Sequence, residues 1–126
     1  MMLDYIDNIN SYGDNVVRLY DFDRLQANMF RQAIQETVII HHKPLDLTTT
    51  DFIKGRNCNL TLRISDEAMG ISTTDKQNFY CDLPLSDYEQ MILLLAPFCV
   101  KETKGHQYLY DIDSLTDFLF SPSGTW

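Results

Sequence analysis

Apolar and polar residues alternate without a break along NLTLRISD, residues 59–66, with Leu60, Leu62 and Ile64 on one side and Thr61, Arg63 and Ser65 on the other. A period of two marks a half-buried strand. NFYCDL, residues 78–83, repeats the pattern with Phe79, Cys81 and Leu83 inward. Gly70 lies between these two segments where a hairpin would turn, so the pair is expected to be antiparallel. An earlier strand is predicted over NVVRLYDF, residues 15–22, from its β-branched and aromatic content. From Arg24 the spacing becomes helical: Leu25, Met29, Phe30, Ala33, Ile34 and Val38 recur at intervals of one, three and four, and Asp23 with Gln26 supplies a capping-box start. Pro44 sets the latest point at which this helix ends.

A second helix is expected from Ser86, with Ser86 and Glu89 as a capping box and Tyr88, Ile92 and Leu95 as its buried stripe. Met91 and Leu94 widen that stripe, and Pro97 kinks or ends the helix. Residues 45–53, with three consecutive threonines, carry a weak strand signal, and HQYLYDID, residues 106–113, reads as the last strand. Residues 1–14 have no clear period and read as a partly ordered arm; residues 121–126 read as a loose tail. The order strand, helix, strand, strand, helix, strand is that of a ferredoxin-like α+β domain, an antiparallel sheet with two helices on one face. Such folds host many unrelated functions, so the likeness carries none of its own.

The chain has 126 residues, enough for one domain and one core. MMLDYIDNIN carries acids where a secretory leader would be basic, and the most apolar run, MILLLAPFCV, is half the roughly 20 residues that span a bilayer. Cys58, Cys81 and Cys99 are odd in number and too far apart for a CxxC motif, which suits reduced thiols in the cytoplasm. A net charge of −8 repels a phosphate backbone and sets direct nucleic-acid binding aside. Neither membrane association nor a cofactor is expected.

One pattern carries candidate chemistry. LYDFDRLQ, residues 19–26, returns as LYDIDSLT, residues 109–116, which places Asp21 with Asp23 and Asp111 with Asp113. In an extended strand residues i and i+2 share a face, so each pair is a candidate cation site. A strand ending in Asp-x-Asp resembles the haloacid-dehalogenase-like phosphatases, and the resemblance implies a nucleophilic first Asp and an acidic second one. It covers only these few residues: Asp23 is followed by Arg24 and Leu25 where that family has a small residue and Thr, and only 13 residues follow Asp113. The other reading is capping, because Asp is a strong N-cap and each pair precedes a helical or turn-like segment. The adjacent His41 and His42 lack zinc-pair spacing and suit a helix C-terminus. Gly-rich phosphate loops, GxSxG and HExxH are missing from the sequence.

The functional expectation is a non-enzymatic binding or regulatory module that contacts a protein partner or a second copy of itself. Tyr80, Tyr108 and Tyr110 are expected on an open sheet face, and Trp126 is a candidate anchor. The alternatives are an acidic inhibitor or immunity-type protein for a basic partner, motivated by the charge, and a metal-dependent hydrolase or phosphotransfer enzyme using Asp21 and Asp23.

Overall fold

The computed structural model describes residues 1–7, 13–102, 104–110 and 116–123. These residues form two mixed sheets and two helices, and the ferredoxin-like expectation is overturned. In the first sheet, β1 (Met2–Ile6) and β2 (Asn15–Tyr20) are antiparallel. Helix α1 (Arg24–Ala33) follows and continues as a π-helical segment, Ile34–Ile40. Next come β3 (Leu45–Asp46), a 3₁₀ turn at Leu47–Thr49, β4 (Lys54–Gly55), β5 (Asn59–Ile64), β6 (Gly70–Thr73) and β7 (Asn78–Leu83). Helix α2 (Leu85–Val100), β8 (Gln107–Tyr110) and β9 (Thr116–Ser121) complete the order. The sheets run β4-β1-β2-β9-β8 and β3-β5-β7-β6.

Three segments account for the correction. Met2–Ile6, within the stretch read as an arm, is an inner strand between β2 and β4. Thr116–Ser121, read as a turn-like segment running into the tail, pairs in parallel with β2 and supplies Phe118 and Phe120 to the core. The third is β6, a strand inserted between the two clearest ones. It pairs antiparallel with β7, so the chain reverses twice and β5 and β7 end up parallel, Leu60 beside Phe79 and Leu62 beside Cys81. The link from β5 crosses the end of β7, where the Ser65 and Met69 amides donate to the Leu83 and Asp82 carbonyls. Gly70 opens β6 at φ 76°, a left-handed conformation that favours glycine.

The first helix begins as its sequence prescribes: the Gln26 amide donates to the Asp23 carboxylate at 2.9 Å and the Gln26 side chain reaches back to the Asp23 amide. Its buried stripe is Ala27, Phe30, Ile34 and Val38, whereas Leu25 and Met29 point outward. The run Thr37, Val38, Ile39, Ile40 crowds an α-turn with β-branched side chains, and here the backbone widens, with the His41 amide bonding the Glu36 carbonyl. The expected Ser86 capping box is absent. Pro84 holds the N-cap with no side-chain bond and starts the helix at Leu85, so Ser86 falls inside the first turn. The helix runs through Pro97 to Val100 and buries Tyr88, Met91, Ile92, Leu95 and Phe98.

Both helices meet the first sheet at Phe120, whose ring lies 4.1 Å from Phe22, 5.8 Å from Phe30 and 5.1 Å from Phe98. The second sheet joins through Tyr5 against Phe79 at 4.6 Å, and through the Tyr88 hydroxyl, which shares its proton between the Arg63 carbonyl of β5 and the Cys81 carbonyl of β7. On the reverse side of the first sheet Arg18 forks onto the buried Asp4 at 2.8 and 2.9 Å while lying 4.0 Å over the Tyr20 ring. The second sheet repeats the device with Arg63, Asp82 and Tyr80.

Two predictions follow from these contacts. Phe120→Ala leaves a cavity between three aromatic rings and is expected to cost about 3–5 kcal/mol, read as a lower urea midpoint at unchanged slope. The β6–β7 connection depends on Asp75, whose carboxylate accepts from the Asn78 and Gln77 amides and is thereby held at about 2, below the ordinary 3.8. A depressed carboxyl contributes fully above its ordinary value, and the contribution is lost as pH falls through about 2. The Gln77 and Asn78 amide NMR shifts should titrate with that midpoint, and Asp75→Asn should abolish the titration.

Candidate functional site

The sequence candidates separate in space. Strand β2 ends at Tyr20, and Asp21 follows at φ 56° with its amide bonded to the Pro122 carbonyl. The same-face relation of an extended strand therefore does not apply to Asp21 and Asp23, and the Asp23 carboxylate is engaged in capping α1. Asp111, Asp113 and Trp126 lie outside the described residues. Among the described residues no three acid, histidine or cysteine side chains gather as a metal centre. His41 and His42 stand exposed at the carboxyl end of the π-helical segment.

The tyrosines do not form one open face. Tyr80 is partly exposed on the second sheet but is covered by the Arg63 guanidinium at 4.2 Å. A register shift between Tyr108 and Tyr110 breaks the alternation of β8, so Tyr110 is buried in the core and Tyr108 is half-buried with its ring edge-on to His106. Burial pushes the Cys58 and Cys81 thiols up to about 12, which removes them as nucleophiles at neutral pH.

The surface that does gather side chains is the outward face of the two helices. The Arg24 amide bonds the Glu102 carboxylate at 3.3 Å, and Arg31 Nε donates to the Ile92 carbonyl at 3.2 Å. Numbers rise along α1 as they fall along α2, so the helices are antiparallel. Leu25 and Met29 share the outward side of α1; Leu93, Pro97 and Val100, spaced by four and three, share that of α2. The antiparallel register sets Leu25 near the level of Val100 and Met29 within about a turn of Pro97. Leu25, Leu93 and Val100 are 66%, 66% and 71% exposed. Beside this patch a groove of about 300 Å³ opens between the helices, with Arg31, Gln35 and Ile39 on one wall and Glu89, Ile92 and Leu93 on the other.

This face was present in the sequence as an excess. Eight of ten residues in MILLLAPFCV belong to the large or sulfur-bearing apolar types, more than one buried stripe can take, so some had to face out. On α1 the six apolar positions span too wide an arc, and the small Ala27 took an inward place.

No protein-family model matches the chain, and no curated protein matches it in sequence. Among the described residues no helix is long and apolar enough to cross a membrane.

The cap is directly testable. Asp23→Ala is expected to lower unfolding stability by about 1 kcal/mol in urea, and Asp23→Ser to recover most of it.

Proposed function

We propose that the protein is a non-enzymatic binding module that acts in the cytoplasm through protein contacts, using the outward face of α1 and α2. The observation that carries this reading is the run of Leu25, Met29, Leu93, Pro97 and Val100 held toward solvent on two packed helices. Scattered exposed apolar residues are ordinary; several on the same side of one rigid helical layer mark an interaction site. The layer is stiff because its opposite side is fixed to the first sheet by Phe30 and Phe98, so little ordering entropy is lost when a partner docks. Three free thiols, two of them buried, support the cytoplasmic assignment.

Position-specific photocrosslinking in cells expressing the protein tests the reading. A photoreactive residue at position 93 or 29 should give discrete protein adducts, while the same residue at position 61, on the outward side of the second sheet, should give none. Adducts of equal yield from all three positions, or from position 61 alone, would remove the helical face as the binding surface.

A further inference from the structure

We infer that the occupant of this face is a second copy of the same chain, docked about a two-fold axis that runs along the groove between α1 and α2; the inference rests on the helical face being the binding surface. The reason is the register of what the face displays. A two-fold axis lying along the groove sets α1 of one copy over α2 of the other and leaves every residue at its own level along the axis. Levels are known from the two cross-helix bonds, Arg24 to Glu102 and Arg31 to Ile92. At one end, Leu25 and Met29 of α1 lie within about a turn of the levels of Val100 and Pro97 of α2, so the operation brings apolar groups toward apolar groups twice over.

At the other end the two walls carry opposite charges. Arg31 stands on the α1 wall, and Glu89 stands on the α2 wall about one turn from Ile92. Arg18 and Arg56 pair with Asp4 and Arg63 pairs with Asp82, whereas neither Arg31 nor Glu89 has an ionic partner among the described residues. The offset of one turn, about 5 Å, is within the reach of an arginine side chain. The same axis thus places each Arg31 against the Glu89 of the other copy, giving two symmetric ion pairs flanking the apolar patch. Leu93, on the groove rim, falls across the α1 wall of the opposite copy. A surface whose charges and apolar groups match themselves under one operation is what an isologous dimer requires.

Sedimentation velocity on the purified chain, with charge-reversal variants, tests this arrangement. The native protein should sediment as a dimer at micromolar concentration. Arg31→Glu places like charges against Glu89 twice, and Glu89→Arg does the same against Arg31, so each variant alone should raise the dissociation constant about tenfold or more. Mixing the two variants restores both pairs, one with native and one with reversed polarity, and should return a dimer containing one chain of each. Leu93→Lys, at an exposed position that tolerates charge in the monomer, should also abolish dimerisation and serves if Arg31→Glu unfolds through loss of its bond to Ile92. A native chain that is monomeric throughout, a mixture that stays monomeric, or a Leu93→Lys protein that dimerises like the native one would each overturn the proposal. A monomeric native chain that still crosslinks from position 93 to other proteins would leave the binding face standing and remove only the second copy; the loss of both results would remove both.

Discussion

The burial of Phe120 among Phe22, Phe30 and Phe98 is the constraint on which the rest of the architecture depends. Strand β9 is held beside β2 in parallel register, and among the ring contacts of the described residues its Phe120 ring is the one that joins the first sheet to both helices. Parallel neighbours need a long connection, and here nearly the whole chain lies between β2 and β9. The contact therefore closes a loop of about a hundred residues, whose entropic cost rises only slowly with length but must be met by dense apolar packing at the joint. Three aromatic rings gathered around Phe120 supply it.

With the helices fixed at that joint, the two sheets finish their outer sides with the same device. Each uses an arginine that forks onto an aspartate across the ladder and lies over a tyrosine two residues from one of them: Arg18, Asp4 and Tyr20 in the first sheet, Arg63, Asp82 and Tyr80 in the second. The fork matches a carboxylate in plane while the guanidinium face rests on the ring, a geometry lysine cannot reproduce. In the first sheet the aspartate is fully buried, so this ion pair is tied to the integrity of the strand pairing between β1 and β2. Both sheets thereby spend their conspicuous polar and aromatic residues on themselves. The helical face has no such covering, and Leu25, Met29, Leu93 and Val100 are left to solvent there.

Local signals were legible where a few neighbouring residues decide the outcome. Asp23 and Gln26 form the capping box their spacing announces, the inward sides of β5 and β7 are Leu60, Leu62, Phe79, Cys81 and Leu83, and Tyr88, Met91, Ile92 and Leu95 are the buried stripe of α2. Signals failed where a local rule met a competing one. Ser86 and Glu89 have capping-box spacing, but Pro84 with its fixed φ had already begun the helix. Tyr108 and Tyr110 have the spacing of one strand face, but a register shift in β8 turns Tyr110 inward. Asp21 and Asp23 were paired by an extended geometry that stops at Tyr20.

The sequence by itself determined that the segments around β2, β5, β7 and β8 extend, that two segments coil into helices and which side of most of these avoids water, because period and caps act over a single turn or a single pleat. It left the strand pairing open. Whether β5 meets β7 parallel or antiparallel depends on where the short β6 inserts, and whether Met2–Ile6 and Thr116–Ser121 are strands at all depends on β2 lying between them to complete their hydrogen bonds. The same holds for the outward helical face: the excess of apolar residues is written in the chain, but only packing against Phe118 and Phe120 chooses which of them the core has no room to bury.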